Sequence, residues 1–372
     1  MSKGKKEVFF SIMIPVYNGE KLVSQAIDSV INQPYPNIEL IIMNDGSTDS
    51  TQSICESYVK KDSRIKLFSH ENTGLGKNRN MGFEHLSGRW TIFLDHDDMI
   101  IDNFLTQELV DFLCECENND IDLIIPARIV VDYEAKRARK DLAPMDMIIK
   151  GGCESSWNVN HEFATLLYRT DLLMQHNIRF HETKPEMESI FRHKAAYLAR
   201  KVLFSNKFFF GVRRENPESI TNRWNYLNTV IVSFKTYMEL ERWHYLNHAN
   251  DPEVYREAQK RTVGYVLDYI IVSLRQNIAI KDIIYGLTVN DMRAYVKSCL
   301  KKGYIRNKWM ISLAIAPRFC LYYLKNHLSP CQPVGKKVMP NSFESFIIET
   351  ESFPDAYSLL LREIKSYPDN SL

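Results

Sequence analysis

The first 125 residues alternate between two hydrophobic periods, and that alternation restricts the fold more than any single motif does. Val8 to Pro15 reads as a strand, and Glu20 to Asn32 as a helix with Leu22, Val23, Ala26, Ile27, Val30 and Ile31 on one face. Ile38 to Met43 is almost continuously apolar, the pattern of a strand in a sheet covered on both sides. Asp49 or Ser50 caps a helix reaching about Lys61, Ile65 to Ser69 is a third strand, and Asn78 to Leu86 a further helix. Trp90 to Leu94, Asn103 to Glu117 and Leu123 to Pro126 continue as strand, helix and strand. Such repetition predicts an α/β domain with a largely parallel sheet.

The pattern weakens from Val130 to Asn160, where Gly151-Gly152 marks a loop. It resumes with a strand at Glu162 to Arg169, a short helix at Asp171 to His176, an amphipathic helix at Glu188 to Arg200, and a strand at Lys207 to Val212. Beyond Asn216-Pro217 the character changes to helices at Trp224 to His248, Pro252 to Gln276 and Val289 to Lys302, with another at Lys308 to His327. The expected organisation is an α/β domain over 1–215, an α-helical domain over 216–328, and a tail over 329–372 that carries five prolines.

Composition narrows the function classes. A net charge of +1 over 372 residues gives no electrostatic case for nucleic acid. Seven scattered cysteines form neither a disulfide framework nor a paired zinc pattern, which suits reduced thiols in the cytoplasm. Met1-Ser2-Lys3-Gly4-Lys5-Lys6 leads straight into a strand without an apolar signal region. The most apolar late stretch, Trp309 to Leu324, is broken by Pro317 and Arg318, too interrupted for a membrane span.

Chemistry concentrates where strands end. Phe93-Leu94 runs into Asp95-His96-Asp97-Asp98, and strand alternation would put Asp95 and Asp97 on one side with Asp98 on the other. Two convergent carboxylates suit Mg²⁺ or Mn²⁺, which takes its remaining ligands from phosphate and water. A solvated acidic turn is the competing explanation. Strand one ends in Pro15-Val16-Tyr17-Asn18-Gly19 and strand two in Asn44-Asp45-Gly46-Ser47-Thr48-Asp49. In open parallel sheets, ligands sit beyond these carboxyl ends. Asp45 can accept from a nucleobase ring N–H while Tyr17 packs on the base; equally, the segment suits a turn and helix cap. Asn72 to Gly82 brings three glycines, Lys77 and Arg79 to a helix start, chemistry for a diphosphate or for a plain turn.

Taken in order, Pro15-Val16-Tyr17-Asn18, Asn44-Asp45-Gly46-Ser47-Thr48-Asp49, Asn72-x-Gly74 with Arg79-Asn80-x-Gly82, and Asp95-His96-Asp97-Asp98 resemble the family-2 glycosyltransferases. The resemblance is dense over about residues 8–125 and looser through Leu167-Tyr168-Arg169, Asn177 to Phe180, Glu186 to Phe191 and Ser219-Ile220-Thr221. It implies the GT-A fold, a Rossmann-like, mostly parallel sheet, and inverting transfer from a nucleotide sugar. It also implies residue roles. Pro15, Tyr17 and Asp45 would hold the base, usually uracil, with Asn18, Gly74, Arg79 and His96 around the nucleotide sugar. Asp95 would face ribose or metal, and Asp97 would bind the Mn²⁺ or Mg²⁺ that bridges the diphosphate.

The sequence departs from that family at two points. Many relatives carry Glu-Asp before x-x-Phe, with the Asp as general base; here Pro185-Glu186-Met187-Glu188-Ser189-Ile190-Phe191 puts Glu188 in its place, and Glu186 is a rival. Asn78 stands where relatives often have Ala. The implied reaction moves a hexose or N-acetylhexosamine from a UDP-sugar to a hydroxyl of a glycan or glycolipid. The implied setting is bacterial surface polysaccharide assembly at the inner face of the plasma membrane. A glycan-binding scaffold with an impaired site is the alternative. A sugar-nucleotide nucleotidyltransferase would carry a Gly-rich Arg/Lys signature near its N-terminus, which Pro15 to Asn18 does not supply. Basic residues interleaved with Trp309, Phe319, Tyr322 and Tyr323 suit peripheral contact with an anionic membrane and suit ordinary helix packing equally.

Overall fold

The computed structural model describes residues 9–132, 137–141, 147–158, 166–182, 187–213, 226–248, 250–301 and 345–349. The chain divides into two compact units, one of Met1–Pro217 with Pro340–Leu372 and one of Glu218–Met339.

The first unit is built on a sheet of ten strands among the described residues. Four of them are β1 (Phe10–Val16), β2 (Ile38–Asn44), β3 (Ile65–Ser69) and β4 (Trp90–Phe93), which lie parallel in the order β3-β2-β1-β4. Every residue of β1 and β2 is buried, as their continuous apolar runs require. Helices α1 (Val23–Ile31), α2 (Thr51–Val59), α3 (Leu75–Gly82) and α4 (Gln107–Asn118) connect these strands and the next. Helix α1 buries Val23, Ala26, Ile27 and Val30, the spacing of one helical face. Thr106 caps α4 by accepting from the Leu109 N–H.

Beyond β4 the sheet becomes mixed. β5 (Ile121–Asp132) pairs antiparallel with β6 (Arg137–Asp141), and β7 (Met147–Lys150) pairs antiparallel with Lys201 to Phe204. β8 (Leu167–Arg169) inserts antiparallel between β4 and β5, and β9 (Lys201–Arg213) runs parallel to β5. β10 (Ser345–Glu349) pairs with β6. Helices α5 (Cys153–Asn158), α6 (Thr170–Gln175) and α7 (Met187–Leu198) belong to this half. One core cluster packs Phe10, Ile12, Ile14, Leu40, Trp90 and Leu113. A second packs Met13, Phe83, Phe93, Tyr168, Phe180 and Phe191, with the Phe180 and Phe191 rings stacked at 4.1 Å. Full burial of each large apolar side chain contributes roughly 1.5–3 kcal/mol.

Strands β6 and β7 fall where the sequence pattern weakens. β6 reads Arg-Ala-Arg-Lys-Asp, so its strand state comes from sheet partners, not from hydrophobic periodicity. β9 begins six residues earlier than the strand expected from Lys207, because Val202, Leu203 and Phe204 are core residues.

The second unit packs α8 (Tyr226–Asn247), α9 (Pro252–Arg275), α10 (Ile280–Val289) and α11 (Met292–Lys301). Asp251 accepts from the Val254 N–H and Pro252 opens α9, a strong helix start. Val230, Phe234, Val266, Ile270, Ile283, Leu287 and Met292 form its core. Helix α10 is not among the helices the sequence pattern predicts, and the helix predicted from Val289 starts at Met292, because Asn290-Asp291 breaks the run. Among the described residues no helix is long and apolar enough to cross a membrane. The helix expected at Lys308 to His327 lies outside the described residues, as does all of the tail except Ser345–Glu349.

Candidate active site

The carboxyl ends of the four parallel strands bring the predicted residues to one edge of the sheet. After β1, Pro15 is buried within the strand, Tyr17 is 47% exposed, and Asn18 adopts a left-handed backbone. The loops after β1 and β2 are laced together. Asn18 N–H donates to Ser47 Oγ at 3.0 Å, Thr48 N–H to Asn18 Oδ1 at 2.8 Å, and Gly19 N–H to Thr51 Oγ1 at 2.8 Å. Glu20 N–H donates to Asp49 Oδ2 and Ser50 N–H donates back to Glu20 Oε2. These reciprocal bonds satisfy backbone donors at two loop–helix junctions. The capping chemistry read in Asp49 therefore acts across loops as well as on its own helix.

Asp45 is buried, and both its oxygens are engaged. Oδ1 accepts from Thr73 N–H at 2.7 Å and Oδ2 from Gly74 N–H at 3.0 Å. Gly46 beside it has φ +71°, and a Cβ there would lie 2.6 Å from the Asn72 nitrogen, so only glycine fits this crossing. Oδ1 also accepts from Thr73 Oγ1 at 3.2 Å, so Asp45 is a clamp on the Asn72 to Gly74 loop whose Oδ2 keeps further acceptor capacity for a ligand.

The acidic run does not continue as a strand. β4 stops at Phe93, Leu94 N–H makes a last bond to Met13 O, and Asp98 N–H closes a turn onto Asp95 O at 3.0 Å. Strand alternation therefore does not sort Asp95, Asp97 and Asp98 onto faces: β1 runs on to Val16, but the chain leaves its ladder after Leu94 and closes a turn. Gln33 fixes the loop that follows: its Nε2 donates to Ile101 O, and its Oε1 accepts from Phe104 and Leu105 N–H. His96 packs by Gly19, where an added Cβ would lie 2.7 Å from its ring.

At the centre, Arg79 of α3 is fully buried and binds two carboxylates. Its Nη2 donates to Asp95 Oδ1 and its Nη1 to Glu188 Oε1, both at 2.6 Å. The guanidinium also lies 5.1 Å from the Phe180 ring centroid. Burial works against the Arg79 charge, but Glu188 and Asp95 outweigh it and hold its pKa above the ordinary arginine value. Lost hydration, with Glu188 and Asp97 nearby, pushes the Asp95 carboxyl above the ordinary aspartate range, against the pull of Arg79. Asp95 and Glu188 side chains are 35% and 37% exposed, so both carboxylates also face solvent. Tyr168 is buried in the core alongside, its phenol pushed upward by burial. Glu188 sits in the first turn of α7, where a negative charge suits the helix dipole. The rival Glu186 lies outside the described residues.

Two residues outside the implied nucleotide-binding set join this edge. His70, just past β3, and buried Asn78 of α3 are bonded to each other and to the strand carrying Asp45. Their position, flanking Asn72-x-Gly74 after the third strand, is the one signal that marks them.

The family model of glycosyl transferase family 2 matches residues 11–180, which spans all of these strand ends. Residues 11–180 belong to glycosyl transferase family 2. The chain is 32% identical over 211 residues to the putative glycosyltransferase EpsH of Bacillus subtilis, covering 52% of this chain and 57% of EpsH. It is 29% identical over 226 residues to the minor teichoic acid biosynthesis protein GgaA of Bacillus subtilis, covering 58% of this chain and 50% of GgaA. The matches span about half the length of these relatives. Among solved structures, S. aureus TarS 1–349 in complex with UDP-GlcNAc superposes with a TM-score of 0.52 at 20% identity, over 80% of this chain and 93% of that one. That likeness shows the fold, the GT-A arrangement of a sheet with flanking helices.

Proposed function

We propose that this family-2 chain is an inverting, metal-assisted glycosyltransferase that moves a hexose or N-acetylhexosamine from a UDP-sugar to a hydroxyl of a glycan or glycolipid. The observation that carries the reading is Arg79, a buried cation holding Asp95 and Glu188 at one strand-end edge. Pro15, Tyr17 and Asp45 hold the nucleobase in this account, with Asn18, Gly74 and His96 lining the nucleotide sugar. TarS, which shares the fold, was solved with UDP-GlcNAc, and GgaA is named for teichoic acid synthesis. The first supports a nucleotide-sugar donor and the second a role in bacterial surface polysaccharide; the cytoplasmic face of the membrane is the setting proposed here. In this account the α/β domain over 1–215 carries the chemistry, and the helices of residues 226–301 belong to a separate appendage.

The donor set fits a hard divalent cation. Asp97 is close enough to Asp95 to repel it, and Arg79 holds only Oδ1 of Asp95. Among the described residues no three His, Cys, Asp or Glu side chains gather to hold a metal, but a Mn²⁺ or Mg²⁺ ion between protein and diphosphate needs only one or two carboxylates. When bound there, the ion would neutralise charge on the departing nucleoside diphosphate. Glu188 presents Oε1 to Arg79 and keeps Oε2 to take the proton of the attacking hydroxyl. Arg79 acts on this base by orienting it.

The test is a transfer assay with an α-linked UDP-sugar carrying ¹³C at the anomeric carbon. Inversion gives a β-linked or β-reducing sugar at the first NMR time point, in wild type and not in Glu188→Gln. A product of retained configuration would overturn the single-displacement account.

A further inference from the structure

His70 and Asn78 connect the pieces of chain that hold Asp45. Asn78 Nδ2 donates to Met43 O at 2.9 Å, in β2 two residues before Asp45. Asn78 Oδ1 meets His70 Nε2 at 3.0 Å. His70 Nδ1 lies 2.8 Å from Glu71 O and 3.6 Å from Asp45 Oδ1, and its backbone N–H donates to Asn44 O at 3.3 Å. Asp45 in turn grips the Thr73 and Gly74 amides, and Gly74 O accepts from Asn78 N–H at 2.9 Å. Hydrogen bonds therefore run from β2 through Asn78 to His70 and from Asp45 through the Thr73–Gly74 loop back to Asn78, and His70 Nδ1 stands 3.6 Å from Asp45 Oδ1 where the two runs face each other.

Each link has a physical reason. Asn78 is 1% exposed, and a buried amide is costly unless both its ends are bonded, which they are here. The orientation of the amide follows from Met43 O, which accepts only from the NH₂ end. That leaves the carbonyl end for His70, whose ring is packed between Asn78 and the Glu71 carbonyl with its Nδ1 3.6 Å from Asp45 Oδ1. A carboxylate held on several sides loses little freedom when a ligand binds, which is what preorganisation means.

We propose that His70 and Asn78 are positioning residues for the nucleotide, fixing Asp45 and the Thr73–Gly74 loop in the geometry that receives the base of a uridine diphosphate. The proposal rests on the nucleotide-sugar reading above. It adds that base recognition here depends on a side-chain bridge behind the contact residues.

The experiment is calorimetric titration of UDP with Mn²⁺ into the full chain, using Asn78→Ala, His70→Phe, His70→Gln and the double variant Asn78→Ala/His70→Phe. Removing a buried hydrogen-bonded link is expected to weaken UDP binding about tenfold in each of the first two variants. The double variant is expected to be no weaker than the worse single one, because both break the same bridge. His70→Gln, which keeps a donor near the Nε2 position, should recover most of the affinity. In transfer assays KM for the donor rises while kcat holds. Unchanged UDP affinity in the single variants overturns the proposal, as do losses that simply multiply in the double variant. Should Asn78→Ala fail to fold, the contrast between His70→Phe and His70→Gln decides alone. Wild-type chain that binds no UDP overturns the nucleotide-sugar reading and this proposal with it, an outcome distinct from a bound wild type with indifferent variants.

Discussion

Arg79 donates to Glu188 at 2.6 Å across 109 residues of sequence, joining the helix after the third strand to the helix that carries the proposed base. The same guanidinium takes Asp95, so the acidic turn and the base share one buried cation. Neither contact follows from the spacing of either motif alone.

Glu188→Gln is the first consequence. The amide keeps an acceptor for Arg79 but cannot take a proton, so kcat should fall about 10²–10⁴-fold, the usual range for a lost general base. Thermal stability should change little. Full activity in this variant would move the proton-accepting role to Glu186.

Arg79→Met removes the cation and leaves two carboxylates facing each other. Breaking a buried ion pair costs about 3–5 kcal/mol, and partial exposure of both acids places this case at the low end. Urea unfolding measures the loss. Glu188→Gln, Asp95→Asn and Arg79→Met combined should recover part of it, since no unpaired charge remains.

Glu39 gives a pH-dependent prediction away from the site. It is buried in β2 and accepts from Ser11 Oγ, Lys66 Nζ and Ser87 N–H. Burial works against its charge, but Lys66, Ser11 and Ser87 outweigh it and hold the carboxyl below the ordinary value of 4.5. A depressed folded-state pKa means that the stabilisation is complete above pH 4.5 and lost as pH falls through the lower value. The stability gap between wild type and Glu39→Gln should therefore be largest near neutral pH and close under acid, measured by denaturant melts across that window. A gap that widens under acid would contradict the assignment.

Gly88→Ala tests the packing behind the same cluster. A Cβ on Gly88 would lie 2.4 Å from the Ser11 nitrogen, a backbone atom that cannot move aside. The variant should lose several degrees of Tm or fail to accumulate, as overpacking of about 1–3 kcal/mol implies.

Much of this architecture is legible in the residues. The parallel strands Phe10–Val16, Ile38–Asn44, Ile65–Ser69 and Trp90–Phe93 announce themselves as apolar runs between amphipathic helices, and burial on both faces is why. Arg137–Asp141 does not, because a charged strand is recruited by its neighbours' backbones. Ile280–Val289 places Ile280, Ile283, Ile284 and Leu287 on one helical face, but its β-branched residues, Gly286 and lack of a capping side chain mask that spacing. At the site, the motifs locate Asp45, Arg79 and Asp95 individually. Which carboxylate Arg79 binds, and that Asn78 answers to His70, are long-range facts that only the fold supplies.

The central claim is a metal-assisted uridine nucleotide site at the strand ends, and calorimetry with UDP, GDP and CMP, with and without Mn²⁺, tests it most directly. The account predicts Mn²⁺-dependent binding of UDP in preference to GDP and CMP, lost in Asp97→Asn while that variant keeps the wild-type fold. No binding of any nucleotide, or UDP binding that is indifferent to both Mn²⁺ and Asp97, would contradict it.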